Sequence, residues 1–488
     1  MQTARSKGSA RTGRVAARLA QVAALLLVVP LVLHLALVAG TAMDPPTVPP
    51  LAAQATAADD HPARLELGRS YLRPRGKVTE IRLVGTPEQI GHAHVRLAYD
   101  QVVAIEQTMH DEFAHYVPWA PARWAIVDFA RWRFRGLDLT LGADRRREIA
   151  AYAAAFAPDP FQGGMDTYQR FVFLNSLYDI MLSFERSPLV GCTSVALSSD
   201  ATSGKVLVGR NFDFEGPQIL DDRKAVFLIH ELGRIPYASV SWPGFIGSAT
   251  GMNAAGVAVV VHGARAGEPS QMGTPVTLTV RSVLAEATDT ARAIEIIGMR
   301  QAMVSHMLLV ADAHGDVVVV ERAPGQPDFV RSSQSSKTAL TNHFEGPLAS
   351  DPANLRVRQE SSTEARRQRL DEILENLPAG GSVEHVVKIL RDRRGAGDAP
   401  LPLGHRSSID ALIATHSVVM DLTDRALWVS EGPHTLGRYV RFGLRELLDP
   451  SYTPGPPERL QTLAEDDILG DGRYEAWRAS GSPRPGAE

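Results

Sequence analysis

Covalent chemistry in this chain would start at Cys192, the only cysteine among 488 residues. It lies in residues 191–215, GCTSVALSSDATSGKVLVGRNFDFE. Residues 193–198 alternate small polar and apolar side chains as a strand does, 199–204 carry turn residues, and 205–208 resume strand character. This predicts a β-hairpin with the thiol at the start of its first strand and Gly209-Arg210-Asn211-Phe212-Asp213 at the end of its second. A nucleophile, a cation and an anion then share one sheet end. If the chain breaks between Gly191 and Cys192, the freed α-amine has a pKa of about 7.7–8.0. It can take the thiol proton and return it to a leaving amine, so one residue serves as nucleophile and base. Arg210 would favour the thiolate by its charge, and Asp213 would hold the amine by a charge-assisted hydrogen bond. The alternative is a buried cysteine acting as a small hydrophobe, with Arg210 and Asp213 as a surface ion pair.

The elements that must position these groups belong to an ordinary globular composition, 44% hydrophobic and 22% charged. A net charge of −4 provides no footprint for a polyanion, and no nucleic-acid motif occurs, so nucleic acid is not expected as a partner. Arg5, Lys7, Arg11, Arg14 and Arg18 precede an apolar run from Leu19 to Met43. Roughly twenty such residues cross a bilayer, and a basic leading end stays in the cytoplasm. Residues 1–43 therefore read as a membrane helix with the remainder on the outer, periplasmic or extracellular side. Gly40-Thr41-Ala42 also suits a cleavage site, which would leave the protein secreted. In an oxidising compartment a lone cysteine stays a free thiol.

Residues 44–62 form a Pro/Ala-rich linker. Residues 63–191 read as a mostly helical front segment, although 66–84 alternate like a strand. Within the front, His92 and His94, then His110 and His115, invite a metal reading. The second pair is spaced five apart, which misses the helical zinc spacing, and neither metal nor cofactor is expected. Residues 119–147 interleave Trp124, Phe129, Trp132 and Phe134 with arginines, which would either touch anionic lipid headgroups or, the preferred reading, cover an apolar helix face with their stems. After Asp213 the pattern gives strands at 224–230, 236–242 and 256–262, helices at 275–287 and 289–299, strands at 305–312 and 316–321, and a final hairpin at 415–431. Residues 192–448 thus form one α+β unit, two sheets face to face with helices outside. Residues 449–488 read as a weakly ordered tail.

In order, GCTSVAL, GRNFDFE, WPGFIGSATGMNAAGV, TNHF and THSVVMDLTDRALWVSEGP resemble the isopenicillin N acyltransferase-like family of N-terminal-nucleophile (Ntn) hydrolases, related to choloylglycine hydrolases and acid ceramidases. The resemblance spans 191–433. It implies a four-layer αββα fold, self-cleavage between Gly191 and Cys192, and hydrolysis or transfer of acyl groups at linear, non-peptide amide bonds of a small N-acyl amide. It also implies Cys192 as nucleophile, Asp213 at the new amine, Arg210 as the arginine of the bile-salt hydrolase pattern, and Asn342 as the side-chain amide that polarises the carbonyl. Arg406, in HRSSI, fits a late arginine. The bile-salt hydrolases carry a second asparagine where this chain has His262-Gly263-Ala264, so the second oxyanion contact falls either to a backbone N–H or to His262, although His262, like His343, reads first as a satisfied, half-buried histidine. Phe214, Trp242, Phe245 and Phe344 would line an acyl pocket or pack in the core. A different class of function, a cell-surface binding protein on a degenerate scaffold of this kind, would leave the thiol inert. A serine hydrolase of the α/β type would need a Gly-x-Ser-x-Gly turn, which is absent.

Overall fold

Two antiparallel-rich sheets carry the larger part of the molecule. The computed structural model describes residues 18–19, 21, 24, 28–183, 190–333, 335–455 and 459–481. They divide into two units, Met1–Asp44 with Phe113–Gly136, and Pro45–Glu112 with Leu137–Glu488.

In the larger unit, the seven-stranded sheet runs Lys337–Leu340, Val190–Leu197, Leu207–Phe214, Ala414–Asp421, Ala426–Ser430, Tyr439–Gly443, Thr462–Leu463. The eleven-stranded sheet runs Thr56–Ala58, His61–Leu67, Ser70–Arg75, Val78–Gly85, Ala225–Glu231, Tyr237–Ser241, Thr250–Asn253, Ala258–Gly263, His306–Ala311, Val317–Arg322, Phe329–Ser332. Several central strands are buried at every position, which requires cover on both faces. One cover is the other sheet: Val208, Val418 and Val429 share a core with Val226, Leu228, Val260 and Leu309. The other cover is helical. Val276–Glu286 and Thr290–Gly298 lie on the larger sheet, and Thr363–Glu375 and Val383–Leu390 on the smaller. The result is helix, sheet, sheet, helix. Gly209 shows how closely the layers approach: a Cβ there would stand 2.2 Å from Val386 Cγ1 and 3.3 Å from Val195 Cγ2, so any side chain would push the helix Val383–Leu390 off the sheet.

The front segment is more than the helical piece its composition suggests. Its strand Val78–Gly85 lies parallel to Ala225–Glu231, with Ile81 opposite Phe227, and so extends the sheet built by the later chain. The tail differs from expectation too. Thr462–Leu463 pairs with Tyr439–Gly443, and Ile468 and Tyr474 are buried beside Leu412 and Leu436, which orders residues 459–481. Apolar anchors among its prolines and acidic residues override the composition.

The smaller unit holds helical residues 28–40 and the helix Ala120–Arg133. His34 Nδ1 lies 2.7 Å from Asp128 Oδ2, and its ring stacks on Trp124 at 5.8 Å. The expected membrane-spanning helix is corrected: among the described residues no helix is long and apolar enough to cross a membrane. Arg5, Lys7, Arg11 and Arg14 lie outside the described residues. Packing under arginine stems also fails for Trp119, Trp124, Phe129 and Trp132, which are exposed. Arg123 turns instead to the Val117 and Pro118 carbonyls, and Arg131 to Asp128.

Candidate active site at Cys192

Strand register decides what surrounds the thiol. Val190–Leu197 pairs antiparallel with Leu207–Phe214 so that Cys192 faces Phe212, Ser194 faces Arg210 and Gly191 faces Asp213. Opposed residues send side chains to the same face, and alternate residues to opposite faces. Cys192 and Arg210 therefore point towards the larger sheet, and Asp213 towards the helix Thr363–Glu375. The cation and the anion lie on the two sides of the strand, with the Cys192 nitrogen between them.

On the inner side, Arg210 is fully buried and its Nη2 stands 3.2 Å from Cys192 Sγ. Its other partners are uncharged: the carbonyls of Ala249 and Val261 and the Thr250 hydroxyl. The guanidinium also lies 4.6 Å from the Phe212 ring centroid. The full charge is thus held against sulfur and ring. Burial nevertheless pushes the Cys192 thiol up, with Arg210 pulling the other way, so in the uncut chain the sulfur is a neutral thiol. Phe212 stacks on His416, and Trp242 lies 5.9 Å from Phe212 and 6.1 Å from Phe245. Trp242 and Phe245 therefore belong to the thiol's surroundings. Phe344 belongs to the core between the sheets.

On the other side, Asn342 Oδ1 accepts from the Cys192 backbone N–H at 2.8 Å, and its Nδ2 donates to the Gly263 carbonyl at 3.0 Å. Arg366 joins these parts. One Nη reaches the Cys192 carbonyl at 2.6 Å and Thr193 Oγ1 at 2.8 Å; the other reaches Asn342 Oδ1 at 2.8 Å. The sequence reading missed Arg366, although its spacing from Thr363, Leu370 and Leu374 puts it in the buried stripe of its helix. Asp213 is buried, and its Oδ1 has no hydrogen-bond partner among the described residues. Burial pushes the carboxyl up to about 6, against the pull of Arg366 and Arg406. A Cβ on Gly191 would stand 3.8 Å from Asp213 Oδ2, which puts the orphaned carboxyl beside the Gly191–Cys192 peptide.

Cys192, Arg210, Asp213 and Asn342 are thus brought together. Arg406 pairs with Glu215, and its charge pulls on the Asp213 carboxyl. His262 is a satisfied, buried histidine, the reading preferred from sequence. Nδ1 lies 2.8 Å from the Thr341 carbonyl, so it carries the proton, and Nε2 accepts from Ser194 Oγ at 2.7 Å. Burial and Arg210 hold its pKa well below the usual range, so the ring is neutral with no N–H left for an oxyanion. The front histidines serve packing. His94 Nε2 accepts from Gly244 N at 3.2 Å, its pKa pushed to about 3 by burial and Arg281, and His92 Nε2 lies 2.8 Å from the Ala53 carbonyl. Among the described residues no three His, Cys, Asp or Glu converge as a metal site.

Residues 200–432 match the family model described as acyl-coenzyme A:6-aminopenicillanic acid acyl-transferase. This is the acyltransferase family that the motifs resemble. The acyltransferase match contains Arg210, Asp213, Asn342 and Arg406 and begins after Cys192. A curated relative, an uncharacterized protein of Archaeoglobus fulgidus, is 26% identical over 276 residues, which is 50% of this chain and 44% of that one. The chain therefore spans less than half the length of that relative. Among solved structures, a Caenorhabditis elegans N-acylethanolamine-hydrolyzing acid amidase ortholog is 16% identical and is covered over 93% of its length by 48% of this chain, with a TM-score of 0.33. Penicillin V acylase from Agrobacterium tumefaciens is 17% identical, with 56% of this chain covering 98% of it, at 0.34. A variant of conjugated bile acid hydrolase from Clostridium perfringens is 13% identical, with 56% and 98% covered, at 0.36.

Proposed function

We propose that the protein is a self-processing thiol amidohydrolase or acyltransferase that forms an acyl-enzyme on Cys192 from small N-acyl amides. The family match supports the reaction class. The observation that carries the reading is the Asp213 carboxyl, buried without a partner for Oδ1 beside the Gly191–Cys192 bond. A buried orphan acceptor costs on the order of 1–3 kcal/mol, and an ammonium at the Cys192 nitrogen is the group that would satisfy it.

In processing, Cys192 Sγ adds to the Gly191 carbonyl carbon and the thiol proton passes to the Cys192 nitrogen. The C–N bond breaks, leaving a thioester on sulfur and a free α-amine, and water then hydrolyses the thioester to a Gly191 carboxylate and a thiol. In turnover the α-amine takes the thiol proton, Sγ attacks the substrate carbonyl, and the proton leaves with the amine product. Water or a second nucleophile removes the acyl group. Arg210 stabilises the developing thiolate, and Asp213 holds the α-amine. Arg366 fixes the Asn342 carbonyl oxygen, which turns the Asn342 amide towards the oxyanion side.

The test is a panel of N-acyl amides given to wild-type protein and to Cys192→Ala. Release of amine by the wild type alone, with one acyl group trapped on sulfur, is expected. Equal activity in both, or none in either across the panel, would refute the reading.

A further inference from the structure

We propose that the Tyr178 hydroxyl, contributed by the front segment, is the second hydrogen-bond donor to the oxyanion that forms at Cys192. This rests on the acyl-transfer reading above and fills the role that His262 cannot.

Tyr178 lies in the short helix Leu177–Leu182. Its hydroxyl is buried and has no hydrogen-bond partner among the described residues, whereas a buried phenol normally finds one. Its position gives the orphan a use. A Cβ on Gly263 would stand 3.5 Å from Tyr178 Oη, and the Gly263 carbonyl is where the Asn342 amide now donates. The phenol tip and the Asn342 amide therefore both reach the same residue, Gly263, at the end of its strand. The Tyr178 ring stacks on Phe212 at 6.2 Å, and Phe212 is the cross-strand partner of Cys192. Burial and the neighbouring Cys192 push the phenol well above its ordinary range, with Arg210 opposing, so it stays protonated and can donate.

The donor also stays in place after the chain is cut, because later residues hold the helix. Both Asp179 carboxyl oxygens accept from the Val276 backbone N–H, at 3.1 and 3.0 Å. Asn175 Oδ1 accepts from Ile246 N at 2.6 Å, and Arg265 donates to the Leu182 carbonyl. None of these ties crosses the Gly191–Cys192 bond by covalent chain. The front segment thereby becomes one wall of the working site.

The experiment compares wild type, Tyr178→Phe and Cys192→Ala by the burst of 4-nitrophenolate from 4-nitrophenyl acetate, with thermal melting alongside. With a single cysteine in the chain, the Cys192-dependent burst reports one site. Loss of an oxyanion donor costs about 10²–10³-fold in rate, so the Tyr178→Phe burst should slow by that factor while the melting temperature holds or rises, because the hydroxyl removed had no partner to lose. If Tyr178→Phe instead stays uncut where wild type is cut, with unchanged melting, the assignment is also supported, since an oxyanion forms on the Gly191 carbonyl first. A wild-type burst matched by Tyr178→Phe overturns the assignment alone. A wild type with no Cys192-dependent burst overturns the acyl-transfer reading and the assignment with it.

Discussion

Two buried charge clusters in the larger unit are built from the same residue types and reach opposite ends. In the first, Glu148 and Glu231 each meet both Arg145 and Arg281, an alternating set of two cations and two anions. Burial would raise Glu231, but Arg145 and Arg281 more than offset it and hold the carboxyl below its usual range. Around Cys192, Arg210 and Arg366 bond to carbonyls, hydroxyls, an amide and sulfur, with no carboxylate at hydrogen-bond distance among the described residues. Asp213 is left pushed up to about 6. Charges that satisfy one another tie helices to a sheet. Charges held apart remain available to a group that appears only when the chain is cut or substrate arrives.

That contrast makes ranked predictions. Arg281→Met leaves two buried carboxylates to share the single Arg145 cation and should cost about 3–5 kcal/mol of stability, read by chemical denaturation; a loss under 1 kcal/mol would mean the cluster is not a structural tie. Arg366→Met strands only neutral acceptors, costing about 1–3 kcal/mol, yet it should slow formation of the cut chain by more than tenfold on gels. Retention of full processing would deny Arg366 its positioning role.

Asp213 gives the next effect, read as stability against pH in a Cys192→Ala background. The folded chain keeps this proton to about pH 6, while an unfolded aspartate releases it near pH 4. The folded state therefore binds more protons in that window, and stability falls as pH rises through it, by on the order of 3 kcal/mol. Asp213→Asn should remove this slope. Asp179, pushed up to about 8 by burial, adds a slope of the same sign that persists above pH 6. The smallest effect belongs to Arg406→Ala: its pair with Glu215 is partly exposed, so stability should change by less than about 1 kcal/mol and processing by less than tenfold.

Much of the site was legible in the sequence because its parts are local. The turn at 199–204 brings Arg210 back across from Ser194, and parity alone puts residues 210 and 213 on opposite strand faces. The helices around Leu278 and Ile296 and most strands fall where periodicity predicts them. Arg366 escaped because TEARRQRLDEILE looks like a solvated helix until the sheet beneath is known. His262 is the satisfied histidine that the sequence favoured, and the coordinates show which partners engage its two ring nitrogens. Tyr178 sits in a stretch with no motif at all. The apolar N-terminus misled because twenty apolar residues satisfy a span by composition, while among the described residues no helix is long and apolar enough to cross a membrane.

Intact-mass analysis with N-terminal sequencing of purified wild type and Cys192→Ala tests the central claim most directly. A second chain beginning at Cys192 in the wild type, and a single uncut chain in the variant, is the predicted result. An active wild type that remains one uncut chain would contradict it.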